Sequence, residues 1–426
     1  MNYLFFSLLI VSTHGLSLWD VFIGSLVTIA DYSVGPEDAK LNISQLANKY
    51  GYPLETHVVV TDDGYILNMH RMPYGRNATS NGRVVFLMHG LWESSDSWLL
   101  QGPRKSLAYI LADAGNRYTL NHVNLSVKSS NFWAFSWEEI GLYDLPAMID
   151  YALDCTGTTT YFVMNSMRPE YNKKIKLMFA LAPEVFLGNA KSTMLNVFSP
   201  AHSTLEFILT NYNVYSPGTS LFRQTLSIMC KVLAVGCDNF FFSVFGQHHV
   251  NSSMLTVILG HVPTGSSTLQ FIHYGQLAYS KRFCRYDFGV KENIKRYGQK
   301  SPPDYDLGAV TTPVVLFYGD NDMFSDRIDV NILKSKIPNV IASYIVKRFT
   351  HLDFMYADES AVLIYSNILH QMDNWEQSHI KSDEYVKVIV KTKIKYLKID
   401  KVTSILKYRN RKGQVKHAAT SEMITL

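Results

Sequence analysis

Cysteine is scarce: four in 426 residues, Cys155, Cys230, Cys237 and Cys284. That is no disulfide framework, so a hydrophobic core must hold the fold. Cys230 and Cys237 are close enough for a single bridge; two buried free thiols fit equally well. No Cys/His spacing suggests zinc or another metal. Internal repeats and low-complexity tracts are missing, which excludes a solenoid and a long disordered chain. No apolar run is long enough to span a bilayer: residues 3–11 are too few, and residues 16–30 are broken by Asp20. Charge of one sign is also sparse. The formal net charge is +4, and residues 376–426 hold twelve Lys/Arg against five Asp/Glu. The rest of the chain is therefore slightly acidic and gives no signal for nucleic acid.

What is present is a hydrophobic content of 47%, enough for one large domain or a domain with a sizeable insertion. Residues 1–15 have the shape of a signal peptide, an apolar run closing on Thr13 and Gly15, though without a basic start. Asn-x-Ser/Thr sequons stand at Asn42, Asn77, Asn124 and Asn251, and with the leader they fit a secretory route and glycosylation.

The body alternates strands and helices. HVVVTDDGYILNMHRM reads as a hairpin around Asp62-Asp63-Gly64. VVFLMHG is a continuous apolar run ending in Gly, the pattern of a buried parallel strand. KSLAYILADAG reads as a helix closed by Gly115. DLPAMIDYALDCTG reads as another, with Asp144 at the N-cap, Pro146 in the first turn and a stop at Gly157. TTTYFVMNSMRPEYNKK is helical, KIKLMFALAP and TTPVVLFYGDND are strands, and NVIASYIVKRFTHLDF is a strand running into a histidine. Such alternation predicts an α/β fold with a mostly parallel sheet, whose chemistry sits beyond the C-terminal strand ends. Residues 183–310 break the alternation and read as an inserted cap, which divides the core into 35–182 and 311–375. The helix ending at Gly115 passes directly into NRYTLNHV, and the one ending at Gly157 directly into another helix, with no strand in either place; a parallel sheet needs a strand between consecutive helices, so two strands read as missing.

Ester cleavage by a hydroxyl nucleophile needs that hydroxyl, a base, an acid that orients the base, and oxyanion donors. In α/β-hydrolases the order along the chain is Ser, acid, His, with the Ser in a G-x-S-x-G elbow after a strand. Asp322 follows one strand and His351 follows the next, so the two can meet at the sheet rim. Asp320, Asp326 and Asp353 compete with Asp322 for the acid. His89-Gly90-Leu91 lies where an oxyanion loop would be, with the Leu91 amide as donor. No G-x-S-x-G occurs. Ser166 sits in a helix, Ser266 and Ser267 lie in the cap, and Cys155 has no basic neighbour to activate a thiolate.

These segments together resemble one family. YGYPLETHVVVTDDGYILNMHRMPYG, VVFLMHGLWESSDSWLLQGPRKSLAYILADAG, FWAFSWEEIGLYDLPAMIDYALDCTG, RPEYNKKIKLMFALAP, VILGHVPTGSSTLQFIHYGQ, and YGDNDMFSDRIDV leading to FTHLDFMYADES look like the acid lipases, the gastric, lysosomal and insect neutral-lipid lipases. The likeness covers about residues 35–375. It implies an α/β-hydrolase fold, acid at Asp322, base at His351, one oxyanion amide at Leu91, and hydrolysis of triacylglycerols or steryl esters at a lipid interface without metal or cofactor. A secreted or lysosomal product is implied too. After Gly115 and Gly157 the family has strands of the types YDVWLGNARG and YVGHSQG, and this chain lacks both. The serine and the second oxyanion amide go with the latter. The sequence therefore predicts a form lacking its nucleophile and inactive as an esterase, its two in-frame losses resembling skipped or mis-called coding segments. A non-catalytic lipid-binding or carrier protein is the alternative. Loss of the strands on both sides of VVFLMHG would leave its backbone groups unpaired. Each costs about 1–3 kcal/mol when buried, in a domain stable by only about 5–15 kcal/mol. The C-terminal residues 376–426 depart from the family. Their alternating YVKVIVKTKIKYLKI reads either as an exposed strand for anionic lipid or, more simply, as an unpacked or mis-joined tail.

Overall fold

The computed structural model describes residues 37–77, 83–114, 133–152, 158–211, 250, 252–378 and three short strands near the C-terminus. The leader-like residues 1–15, Asn124, Asn251, Cys155, Cys230 and Cys237 lie outside the described residues. By compactness the chain divides into Met1–Ser366 and Asn367–Leu426.

The first unit opens with α1 (Ile43–Lys49), started by a capping box in which Asn42 accepts from the Gln45 amide and Gln45 reaches back to Asn42. The hairpin follows: β1 (Glu55–Val60) pairs antiparallel with β2 (Ile66–Arg71), from Glu55 opposite Arg71 to Val60 opposite Ile66. Gly64, at φ 90°, supplies the left-handed residue that its turn requires. α2 (Leu107–Asp113) buries Leu107, Ala108, Tyr109, Leu111 and Ala112.

The next helix starts earlier than Asp144. Ser136 is its N-cap, with Glu139 closing a second capping box. The helix then runs through a π-helical turn, Ile140–Asp144, into α3 (Leu145–Ala152). Asp144 is thus an interior residue, and its carboxyl is pushed well above the usual range by burial, with Asp63 and Glu139 adding to the rise. α4 (Thr158–Met167) and a 3-10 turn, Pro169–Lys173, lead to β3 (Met178–Leu181).

The sheet is parallel and, among the described residues, three-stranded: β3, β4 (Val314–Gly319) and β5 (Val340–Val346), in that order. β4 is buried along its whole length, as a strand flanked on both sides must be. VVFLMHG forms no strand. Residues 83–90 carry no ladder although Phe86 and Leu87 are 1% and 2% exposed. The sequence marks these residues as a strand, but strand geometry needs a neighbour to take its N–H and C=O groups. No described segment lies beside it to supply one.

Between β3 and β4 the described residues are mainly helical: α5 (Thr193–Phe198), α6 (His202–Asn211), α7 (Ser252–His261), α8 (Thr268–Ser280) and α9 (Val290–Tyr297). Arg285 grips both carboxylate oxygens of Glu138 through Nε and Nη2, and Tyr305 Oη donates to the same group at 2.7 Å. α10 (Arg327–Lys336) links β4 to β5. Side chains from α3, α4, β3, β4, α8 and α10 share one hydrophobic cluster. In the second unit β6 (Leu397–Asp400), β7 (Ile405–Arg409) and β8 (Val415–Ala419) form an antiparallel sheet. No helix among the described residues is long and apolar enough to cross a membrane.

Candidate functional site

The site forms where β3, β4 and β5 end. After β4 the chain turns through Asp320 and Asn321 to Asp322, whose side chain is fully buried. Its Oδ1 accepts the backbone N–H groups of Phe324 at 2.8 Å and Ser325 at 3.0 Å. After β5 the chain turns through Arg348, a non-glycine residue held at φ 65°, to His351. Gly319 allows the two turns to touch. A Cβ there would stand 2.0 Å from the Phe349 carbonyl oxygen, and only glycine permits so close an approach. His351 Nδ1 thus lies 3.1 Å from Asp322 Oδ2, and the Phe324 ring sits 5.4 Å from the imidazole.

The competing aspartates are each engaged elsewhere. Asp320 accepts the Arg348 amide. Asp326 caps α10 and pairs with Lys191 at 2.6 Å. Asp353 accepts both the amide and the hydroxyl of Thr350 at 2.8 Å.

The other ring nitrogen faces a residue that sequence reasoning missed. Glu184 Oε1 lies 3.4 Å from His351 Nε2. Glu184 follows β3 directly, through Ala182 at φ 48° and Pro183. Its backbone is pinned, since Thr159 Oγ1 donates to its carbonyl at 2.9 Å and Ser325 Oγ donates to that of Pro183 at 3.0 Å. Tyr274 Oη, from α8, donates to Glu184 Oε2 at 3.1 Å. The signal was available: a lone acid in the apolar run LAPEVFLG, just past a parallel strand where this architecture places its chemistry.

Burial alone would lower the His351 pKa. The negative charges of Glu184 and Asp322 outweigh it and, with the Asp322 hydrogen bond, raise the ring to about 10. Burial pushes the Glu184 carboxyl up, against the pull of His351. The imidazole is only 24% exposed and the Glu184 side chain 16%, so both charges act through little water.

The turn at 89–93 is folded on itself. The Gly90 amide donates to Glu93 Oε2 at 3.0 Å, and Glu93 Oε1 accepts from Tyr356 Oη at 2.9 Å. Leu91 is half-buried, and Trp92 after it is held at φ 62°. The Glu93 charge reaches both Glu184 and His351, but no described contact joins Leu91 to the pair. No described serine hydroxyl bonds the His351 ring. Ser166 lies within α4, Ser266 binds Gln270, and Ser267 donates to the Trp133 carbonyl at 2.6 Å. The exposed Asn42 keeps its helix cap and Asn77 is exposed. Among the described residues no cluster of His, Cys, Asp or Glu could hold a metal.

A base that delivers a nucleophile needs a neutral ring with a free lone pair on the nitrogen opposite its orienting acid. Here that nitrogen meets a carboxylate. The arrangement can hold an imidazolium between two anions; among the described residues it presents no serine hydroxyl at that nitrogen.

Residues 43–102 match the family model described as a partial alpha/beta-hydrolase lipase region. Lipase 3 of Drosophila melanogaster is 39% identical over 368 residues, covering 76% of this chain and 91% of that protein. Gastric triacylglycerol lipase of Rattus norvegicus is 35% identical over 369 residues, covering 79% of this chain and 93% of the relative. Lipase member K of Mus musculus is 32% identical, covering 80% and 93%.

Proposed function

This chain belongs to the acid lipase family of the α/β-hydrolases, and from that membership we propose that it is a neutral-lipid ester hydrolase scaffold that has lost its nucleophile and is inert as an esterase in this form. Asp322 and His351 are its acid and base, Leu91 its remaining oxyanion donor, and triacylglycerols or steryl esters the substrate class of its lineage. One observation carries the proposal: His351, oriented by Asp322 at 3.1 Å, faces Glu184 where a hydroxyl would have to stand. The alignment with Lipase 3 supports the loss. Its 368 residues exceed the 76% of this 426-residue chain that it takes up, so the relative carries internal sequence that this chain lacks. The leader-shaped N-terminus and the sequons support secretion or delivery to lysosomes, with Asn42 and Asn77 as glycan acceptors.

The test is hydrolysis of a short fatty-acyl ester, run beside labelling by a serine-directed phosphonate. Neither turnover nor labelling is expected. Clear turnover with labelling overturns the proposal, and saturable lipid binding without turnover favours the carrier alternative. Peptide mass spectrometry across the junctions after Gly115 and Gly157 establishes whether the shortened chain is the product made.

A further inference from the structure

We infer that Glu184 is a positioning residue that plugs the site: its carboxylate occupies the place at His351 Nε2 from which a nucleophile would hand over its proton, and it fixes the ring as an imidazolium. The inference rests on the reading above and names what holds the site in its inert state. Three elements place the plug. β3 delivers it, the hydroxyls of Thr159 and Ser325 pin the backbone on either side of it, and Tyr274 orients its second oxygen. The charged groups that face the ring are Asp322 from the turn after β4, Glu184 from the turn after β3, and Glu93 from the turn at 89–93. All are acidic, and no described basic side chain is within ion-pair distance of either Glu184 or Asp322 apart from His351 itself. The ring therefore sits in an acidic pocket, with Nδ1 hydrogen-bonded to Asp322 at 3.1 Å and Nε2 at ion-pair distance, 3.4 Å, from Glu184.

The chemistry has a further consequence. A carboxylate beside Nε2 is the group that a fatty acid, the product of ester cleavage, would present there. Glu184 is an intramolecular stand-in for that product. Removing it should expose a slot for a small free carboxylate.

The experiment follows the His351 ring by NMR in full-length protein carrying nitrogen-labelled histidine. In the unaltered chain both ring nitrogens should stay protonated at pH 8; a neutral ring there overturns the inference without any variant. In Glu184→Gln the ring's titration midpoint should fall by about 1–3 pH units, the size of shift from one adjacent opposite charge. An unchanged midpoint overturns the inference. In Glu184→Ala, sodium acetate should shift the His351 resonances saturably and raise the midpoint again, while acetamide does neither. Acetate acting equally on the unaltered chain, or on neither protein, also overturns it. Ester turnover by the unaltered chain would sink the proposed function, whereas an inert chain with an unmoved midpoint would sink only the role of Glu184.

Discussion

Two apolar runs of similar make-up end in different backbone states. Residues 84–90, VVFLMHG, form no strand, whereas Val314–Gly319, VVLFYG, is the buried centre of a parallel sheet. Both reach a glycine where a turn begins, and both bury large side chains, Phe86 and Leu87 in the one and Leu316, Phe317 and Tyr318 in the other. The difference lies in neighbours. β4 has β3 on one side and β5 on the other, while the 84–90 run pairs with no strand among the described residues. An apolar run states that a segment wants burial, and its partners decide whether burial takes the form of a strand.

Backbone protection should separate the two runs most widely. In native-state hydrogen exchange the amides of Val314–Gly319 should open only on global unfolding, whereas those of residues 87–90 should exchange through small local openings. Equal protection would erase the comparison. Proline tests it next. Leu316→Pro removes a ladder hydrogen bond to β5 and should cost about 3 kcal/mol or more, while Met88→Pro, outside any ladder, should cost far less in urea unfolding. Gly319→Ala sharpens the comparison at the strand end. The added Cβ meets the Phe349 carbonyl, so the turns bearing Asp322 and His351 must part at a cost of about 1–3 kcal/mol, read as a lowered Tm.

Charge gives a pH-dependent difference. The His351 pKa is raised in the fold from 6.5 to about 10. A raised pKa means the folded state holds its proton more tightly, so this stabilisation is complete below pH 6.5 and is lost as pH rises to about 10. Unfolding free energy should therefore decline across that window, and less steeply in Glu184→Gln. A decline of equal slope in both proteins would remove Glu184 from the account. The smallest effect is expected at Ser136→Ala, which deletes the capping oxygen of the helix leading into α3 and should cost about 1 kcal/mol in thermal unfolding.

The hairpin, helices α2 to α4 and the three strands of the sheet were legible because each has a strong local period; the expected stops at Gly115 and Gly157 lie outside the described residues. Asp322 and His351 were legible as candidates because each lies just past a strand. Asp144 was misread as a helix start, although Ser136 and Glu139 spell a capping box upstream. A π-helical turn carries the helix past Asp144, and propensity alone does not foretell it. Residues 84–90 escaped because the rule for a buried strand reads only the strand's own residues. Glu184 escaped for another reason. Its meeting with His351 depends on two turns far apart in sequence, brought together only once β3 and β5 have both paired with β4.

That pairing has a consequence for covalent continuity. β3 precedes residues 212–249 and β4 follows them, yet Met178 stands beside Val314 and Leu181 beside Phe317 in one ladder. Arg285 holds Glu138 across the same interval, and His261 holds Asp96 at 2.7 Å. Should a protease sever the chain between Asn211 and Val250, the two fragments would still interlock through a shared sheet and a shared core. They should leave a sizing column together and separate only in denaturant, as halves of a fold whose integrity does not depend on the peptide bonds joining them.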